Sequence, residues 1–257
     1  MRQEKATKPS CHPEYVDYLA TKNRSATIRR KINSLETSFR LSKYPDPTKE
    51  AEVIFALKRM HRRLGRRQKQ AEPLTRDLFE VLLSSCTDDR KGIRNRILLR
   101  IGFETMRRRS ELCKFKFENL QHSHRSQPML FLETSKTDQE ASGQIIPISR
   151  DLEQLINFGR LTLEADPKSF ILRSIDKHGN VGQSLAPGSI PMILNTIKNR
   201  IAHPDSLREF SGHSFRVGAA LDLLKSGVPI EKMMLRGGWR SKDTAMLYLR
   251  NYYWHFD

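Results

Sequence analysis

The 257 residues predict a mainly α-helical protein with one small antiparallel β-sheet. Three observations carry that prediction. Apolar side chains recur at steps of three and four through most of the chain, the spacing of one helix face. One pair of short apolar runs, around a turn containing Gly143, has the pattern of a hairpin. Glu72-Pro73-Leu74-Thr75 breaks the pattern where a strongly basic stretch ends, which puts a junction near residue 71 and divides the chain into 1–70 and 71–257.

The opening residues Met1 to Ser10 are polar and basic without an apolar period, and are expected to be mobile. Ile28, Ile32, Leu35 and Phe39 then give one apolar face to a helix from about Ser25 to Leu41, which Tyr44-Pro45-Asp46-Pro47 stops. Val53, Leu57, Met60 and Leu64 repeat the step in a second helix. Beyond the junction, Thr75 is the expected N-cap of a helix carrying Leu78, Val81 and Leu82. Asp88 and Asp89 are candidate caps for a buried helix through Ile93, Ile97 and Ile101 towards Met106. The hairpin joins Met129–Thr134 to Gln144–Ile148 and is the only convincing β signal. Short helices are expected around Ile193 to Ile201, Phe215 to Leu224, Ile230 to Leu235 and Thr244 to Leu249.

Charge narrows the possible partners. Lys and Arg number 46 against 29 Asp and Glu, a net charge of +17 with a pI near 10.1, which points to a polyanion, with nucleic acid first. The excess is uneven, with 18 basic and 7 acidic residues in 1–70 against 28 and 22 in 71–257. No acidic residue lies between Glu52 and Glu72, a stretch that holds Lys58, Arg59, Arg62, Arg63, Arg66 and Arg67. A solvated helix face normally intersperses both signs, so these six read as contacts to phosphate. Cys11, Cys86 and Cys113 have neither the spacing of a zinc site nor that of a disulfide framework. No run approaches the ~20 apolar residues of a membrane span, no secretory signal core opens the chain, and a cytoplasmic protein is expected.

Residues able to carry chemistry cluster in three places. Arg108-Arg109-Ser110-Glu111-Leu112 sets an arginine three positions before a glutamate. Gly212-His213-Ser214-Phe215-Arg216 sets His213 and Arg216 on one face of a helix start. Gly237-Gly238-Trp239 precedes Tyr248 by nine positions, counted from the tryptophan. At these residues the chain resembles the tyrosine recombinase and phage integrase family, whose signature is R-x-x-E-L, a hairpin lysine, H-x-x-R, a Gly-Gly-Trp or Gly-His element and a C-terminal tyrosine. Over Gly212 to Asn251 it is most similar to the Cre-type branch, which has a tryptophan before the tyrosine. Five elements in order make a far more specific match than any one of them.

The resemblance implies the DNA breaking-rejoining catalytic fold over 71–257, preceded by a basic helical DNA-clamping domain in 1–70 that is shorter than usual. It implies that Tyr248 attacks a phosphodiester, that Arg108 and Arg216 hold the non-bridging oxygens, and that His213 and the Trp239 indole donate to the same phosphate. Lys136, in Thr134-Ser135-Lys136-Thr137-Asp138, would protonate the departing 5′-oxygen, and Glu111 would orient a neighbouring arginine or histidine. No metal or other cofactor is implied. Duplex DNA and further copies of the chain, as a dimer or tetramer, are the expected partners, and nucleoid association the expected location. Asn195 and Lys198 are candidates for base contact, and Tyr252, Tyr253, Trp254 and Phe256 for an apolar plug against a neighbour.

Each assignment has a plainer rival. Arg108 lies in the run Arg107-Arg108-Arg109, which also reads as a surface cluster; only the spacing to Glu111 singles it out. Trp239 also reads as a core indole, Tyr248 competes with Tyr252 and Tyr253, and Lys136 also reads as a solubilising turn lysine. Two other functions share the motif residues. One is a truncated relative that binds DNA without recombining it, the other a strand-relaxing enzyme of the type IB topoisomerase kind.

Overall fold

The computed structural model describes residues 13–65, 71–134, 143–201 and 209–249, apart from the side chains of Leu247 and Tyr248. It divides into two compact units, Met1–Lys69 and Gln70–Asp257. The opening segment, Cys11, Arg66, Arg67, Lys136 and the aromatic tail lie outside the described residues.

In the first unit, α1 (Pro13–Lys22), α2 (Ser25–Leu41) and α3 (Ala51–Leu64) pack on one another. Their core is Val16, Leu19, Ala20, Ile28, Ile32, Val53, Ala56, Leu57 and Met60, with Leu35 against it. The expected faces of α2 and α3 supply most of it. Leu64, expected on that face, is instead 39% exposed where α3 ends. Helix α1 was not expected, because its apolar stripe is only Val16, Leu19 and Ala20 between exposed tyrosines. Asp46 ends the connection by accepting from the Thr48 amide at 3.0 Å and the Thr48 hydroxyl at 2.7 Å, a local cap on the 3-10 turn Pro47–Lys49.

The second unit is built round α5 (Arg90–Thr105), buried on nearly every side from Gly92 to Thr105. Asp89 starts it, accepting from the Gly92 amide at 2.7 Å. Helix α4 (Arg76–Ser84) begins after Thr75 as expected, although the Thr75 side chain makes no capping bond. Helix α6 (Arg109–Leu112) follows α5 directly. The sheet has three antiparallel strands in the order β1 (Leu120–His122), β2 (Pro128–Leu132) and β3 (Gln144–Pro147). Leu132 faces Gln144 and Leu130 faces Ile146 across the expected hairpin, and alternate residues of β2 are buried. Strand β1 adds a third member that its polar sequence, Leu-Gln-His, gave no reason to expect.

Helix α7 (Arg150–Thr162) is likewise an addition; Ser149 caps it by accepting from the Leu152 amide at 3.1 Å. Then come α8 (Ser189–Lys198), α9 (Ser214–Lys225), α10 (Ile230–Gly237) and α11 (Lys242–Leu249), all near the expected positions. Helix α9 packs against α5 through glycine, since a Cβ on Gly102 would sit 2.8 Å from the Phe215 ring. The chain after the junction lies across α9: the Leu74 amide donates to the Ser214 carbonyl at 3.0 Å, and a Cβ on Gly218 would lie 1.7 Å from the Leu74 carbonyl oxygen. Among the described residues no helix is long and apolar enough to cross a membrane.

That close crossing gives a test of the packing. Gly218→Val should lower stability by about 3 kcal/mol or more in urea unfolding, because backbone must move to admit the side chain. Gly188→Ala, where nothing lies within 4 Å, should stay within about 0.5 kcal/mol of wild type. Equal midpoints for the two variants would contradict the crossing.

Candidate active site

The site begins where α5 ends. Met106 adopts a left-handed conformation (φ 54°), is fully buried, and directs its carbonyl to the Arg216 guanidinium, whose Nη1 donates to it at 2.9 Å. A left-handed non-glycine residue costs on the order of 1 kcal/mol; here it turns the chain at once into Arg107, Arg108 and α6. Arg108 is the N-cap of α6, and Glu111 holds it twice: the carboxylate accepts from the Arg108 amide at 3.0 Å and from Nη1 at 2.9 Å. Arg216 lies in the first turn of α9, 1% exposed, its guanidinium carbon 4.9 Å from the centre of the Trp239 ring. Trp239 reaches that position because Gly238 (φ 63°) ends α10 in a left-handed turn.

His213 is the N-cap of α9 and is solvent-exposed, its amide donating to Ser211 Oγ at 3.2 Å. Its pKa is lowered from the ordinary 6.5, first by the protein packed around the ring and then by the charges of Arg216, Arg109 and Arg108. Burial alone would raise the Glu111 carboxyl; the hydrogen bonds from Arg108 and the charges of Arg108 and Arg107 outweigh it and hold the group below the usual carboxylate range. The result is a basic neighbourhood around His213 with one carboxylate bonded to Arg108.

Arg108, Glu111, His213, Arg216 and Trp239, chosen from sequence alone, therefore meet in one place. Tyr248 is in α11, which packs on α9 and α10 and is anchored by Ala245 and Leu249, both at most 1% exposed. Lys136 falls outside the described residues, between β2 and β3 in sequence. Two arginines passed over as part of a basic run belong to this neighbourhood. Arg109 influences His213 and its stem fills the space against Gly212, where a Cβ would lie 2.8 Å away. Arg107 is 2% exposed and bonded to β3 and α10. The triplet of basic residues was the available signal.

The candidates for DNA contact divide. Lys58, Arg59, Arg62 and Arg63 are exposed on α3, with Arg59 donating to Asp17 at 2.6 Å. Lys198 is 5% exposed, which does not place its ammonium on an open face. Asn195 is committed to the backbone: its amide nitrogen donates to the Pro191 and Phe210 carbonyls at 2.8 and 3.1 Å, and its oxygen accepts from the Phe210 amide at 3.1 Å. It joins α8 to the approach to His213 and has no group left for a base edge.

A helical body on one buried helix, a small three-stranded sheet and a histidine that feels the charges of three arginines define the class. The sequence profile of the phage integrase family matches residues 72–255, and the chain belongs to that family. It is 26% identical over 255 residues to the Cre recombinase of Escherichia phage P1, covering 93% of this chain and 74% of that protein. It is also 26% identical to an XerD-homologous integrase/recombinase of Selenomonas ruminantium, covering 94% and 73%. Among solved structures, a Tn1549 transposon integrase in complex with transposon right end DNA matches with a TM-score of 0.63 at 15% identity, covering 93% of this chain and 79% of that one. A lambda integrase dimer bound to a core site matches at 0.61 and 14%, and there this chain spans 64% of the other's length.

The depressed His213 value has a defined sign. A neutral imidazole is favoured in the folded state, so the stability it contributes is present above pH 6.5 and lost as pH falls through the lower folded value. In an NMR titration, the His213 resonance of the free protein should titrate below 6.5 and move upward when a short duplex is added, because phosphate offsets the three guanidinium charges. A free-protein value at or above 6.5 would show that neither the packing around the ring nor the guanidinium charges act on it as described.

Proposed function

We propose that this protein is a site-specific DNA recombinase that cleaves and rejoins duplex strands through a 3′-phosphotyrosine intermediate on Tyr248. The observation that carries this reading is the meeting of Arg108, Arg216, His213 and Trp239 beside the ends of α5 and α10, from three separated stretches of sequence. Two planar guanidiniums suit the two non-bridging oxygens of a phosphodiester, on which charge develops during displacement. In the cleavage step the Tyr248 oxygen forms a bond to phosphorus while the bond to the 5′-oxygen breaks. The phenol proton passes to neutral His213, and Lys136 gives a proton to the departing oxygen. The phosphotyrosine keeps the energy of the broken diester, so rejoining needs no nucleotide.

Residues 71–257 form the catalytic domain in this reading, and 1–70 grip the duplex through Lys58, Arg62 and Arg63 with Arg66 and Arg67 following in sequence. Recombination joins two sites, so copies of the chain associate on DNA as dimers or tetramers. A DNA-acting protein of this kind works at the nucleoid.

Trapping tests the chemistry. Suicide duplexes drawn from the surrounding genome should give a denaturation-resistant protein–DNA complex that Tyr248→Phe abolishes. Binding without any covalent complex would favour the binding-only reading, and relaxation of supercoils without exchange between sites the strand-relaxing one. The grip is tested by salt: Arg62→Ala with Arg63→Ala should weaken duplex binding on all sequences and reduce the slope of log affinity against log salt by about 2, since each phosphate contact contributes roughly 0.9. An unchanged slope would remove α3 from the interface.

A further inference from the structure

We infer that Asn195 is a positioning residue for His213, holding the segment Phe210–His213 in the course by which it enters α9. The inference rests on the proposed role of His213 at the phosphate. The Asn195 side chain brackets a single residue. Its Oδ1 accepts from the Phe210 amide at 3.1 Å and its Nδ2 donates to the Phe210 carbonyl at 3.1 Å, the pair of bonds that a neighbouring antiparallel strand would make. A second donation from Nδ2, to the Pro191 carbonyl at 2.8 Å, fixes the side chain against its own helix. That helix is seated in the core through Ile190, Leu194 and Ile197, each at most 1% exposed.

From Phe210 the hold passes to His213 through a short series of bonds. The Ser211 amide donates to Ser214 Oγ at 2.9 Å, the Ser214 amide to the Ser211 carbonyl at 3.0 Å, and the His213 amide to Ser211 Oγ at 3.2 Å. Gly212 leaves room there for the Arg109 stem, which lies where a Cβ would be. The segment is thus gripped by α8 at Phe210, by α6 at Gly212 and by the first turn of α9 at Ser211. A tie between α8 and the chain needs only one bond. Two bonds to the same residue fix its rotation as well as its position, and rotation is what aims a side chain three residues on. Arg216 has anchors of its own in the Met106 carbonyl and the Trp239 ring, so the effect of Asn195 falls on His213.

A double-mutant cycle separates this role from a general loss of stability. On duplex suicide substrates, Asn195→Leu should form the covalent complex about 10- to 100-fold more slowly than wild type, the cost of misplacing a reacting group by around an ångström. In a His213→Ala background the same substitution should change the rate by less than about 2-fold, because the group it aims is gone. In the free protein, the His213 NMR titration should rise towards 6.5 in Asn195→Leu, as the ring leaves the packing and the Arg216, Arg109 and Arg108 charges that lower it. Equal losses in both backgrounds, or an unmoved titration, would overturn the inference while leaving the proposed chemistry standing. Should Asn195→Leu fail to fold in a thermal melt, Asn195→Asp, which keeps the bond from the Phe210 amide and loses the one to its carbonyl, decides in its place. If wild type forms no covalent complex, the proposed function falls, and the titration alone decides whether Asn195 sets the ring.

Discussion

The bond from Arg216 to the Met106 carbonyl is the constraint on which the site depends. It exists because α5 ends in a left-handed residue that turns its carbonyl towards α9, and because Gly102 lets α9 approach α5 closely enough for the arginine to reach it. The same turn delivers Arg108 to the start of α6, where Glu111 fixes it by two bonds. Two arginines 108 positions apart are thus related through one peptide unit. The precision of the pair comes from backbone geometry and side-chain packing held by a buried core, which is how a first layer of functional groups is kept in place by a second.

That arrangement is electrostatically one-sided. Among the described residues the buried charged side chains are Arg94, Arg107, Lys198 and Arg216 against Glu111. Burying a cation costs free energy, and the core of the second unit, from Leu74 to Leu249, is the term that offsets it. Arg94 shows how such a charge is kept: it donates to Asn95 Oδ1 at 2.9 Å and to the Arg173 carbonyl at 3.0 Å, neutral acceptors deep in the fold. An anion at the mouth of the site would relieve the imbalance near Arg108, Arg109, Arg216 and His213.

Much of the fold was legible because its helices are amphipathic and its breaks are chemically explicit. Helix α2 runs between the residues expected from Ile28, Ile32 and Leu35, and Asp89 caps α5 as its sequence position suggested. What escaped were elements with little apolar period: α1 with a three-residue stripe, β1 with a mostly polar three-residue sequence, and α7, although Ser149 followed by Leu152 and Ile156 was a usable start signal. The site residues were legible by spacing alone, since H-x-x-R and R-x-x-E-L report local geometry. Arg107 was not, because nothing in a run of three arginines says which one turns inward; that is decided by Gln144, Arg236 and Gly238, which lie 37 to 131 positions away. Asn195 failed for the same reason, its partner Phe210 being set by tertiary structure.

The two halves of the second unit therefore contribute differently to the reaction proposed. The α5–α9 contact, with Met106 at its centre, is close because Gly102 admits the Phe215 ring against the α5 backbone, and it fixes Arg216 relative to the turn that carries Arg108. The hairpin and the Gly237-Gly238-Trp239 turn join this centre through longer polar side chains, Arg107 and Gln144, which bond β3 to the end of α10. In the reaction proposed, phosphate binding falls to the α5–α9 part, and the hairpin stands apart from it. That division fits a reaction run in both directions, in which the phosphate must stay in place while the attacking and departing oxygens exchange roles.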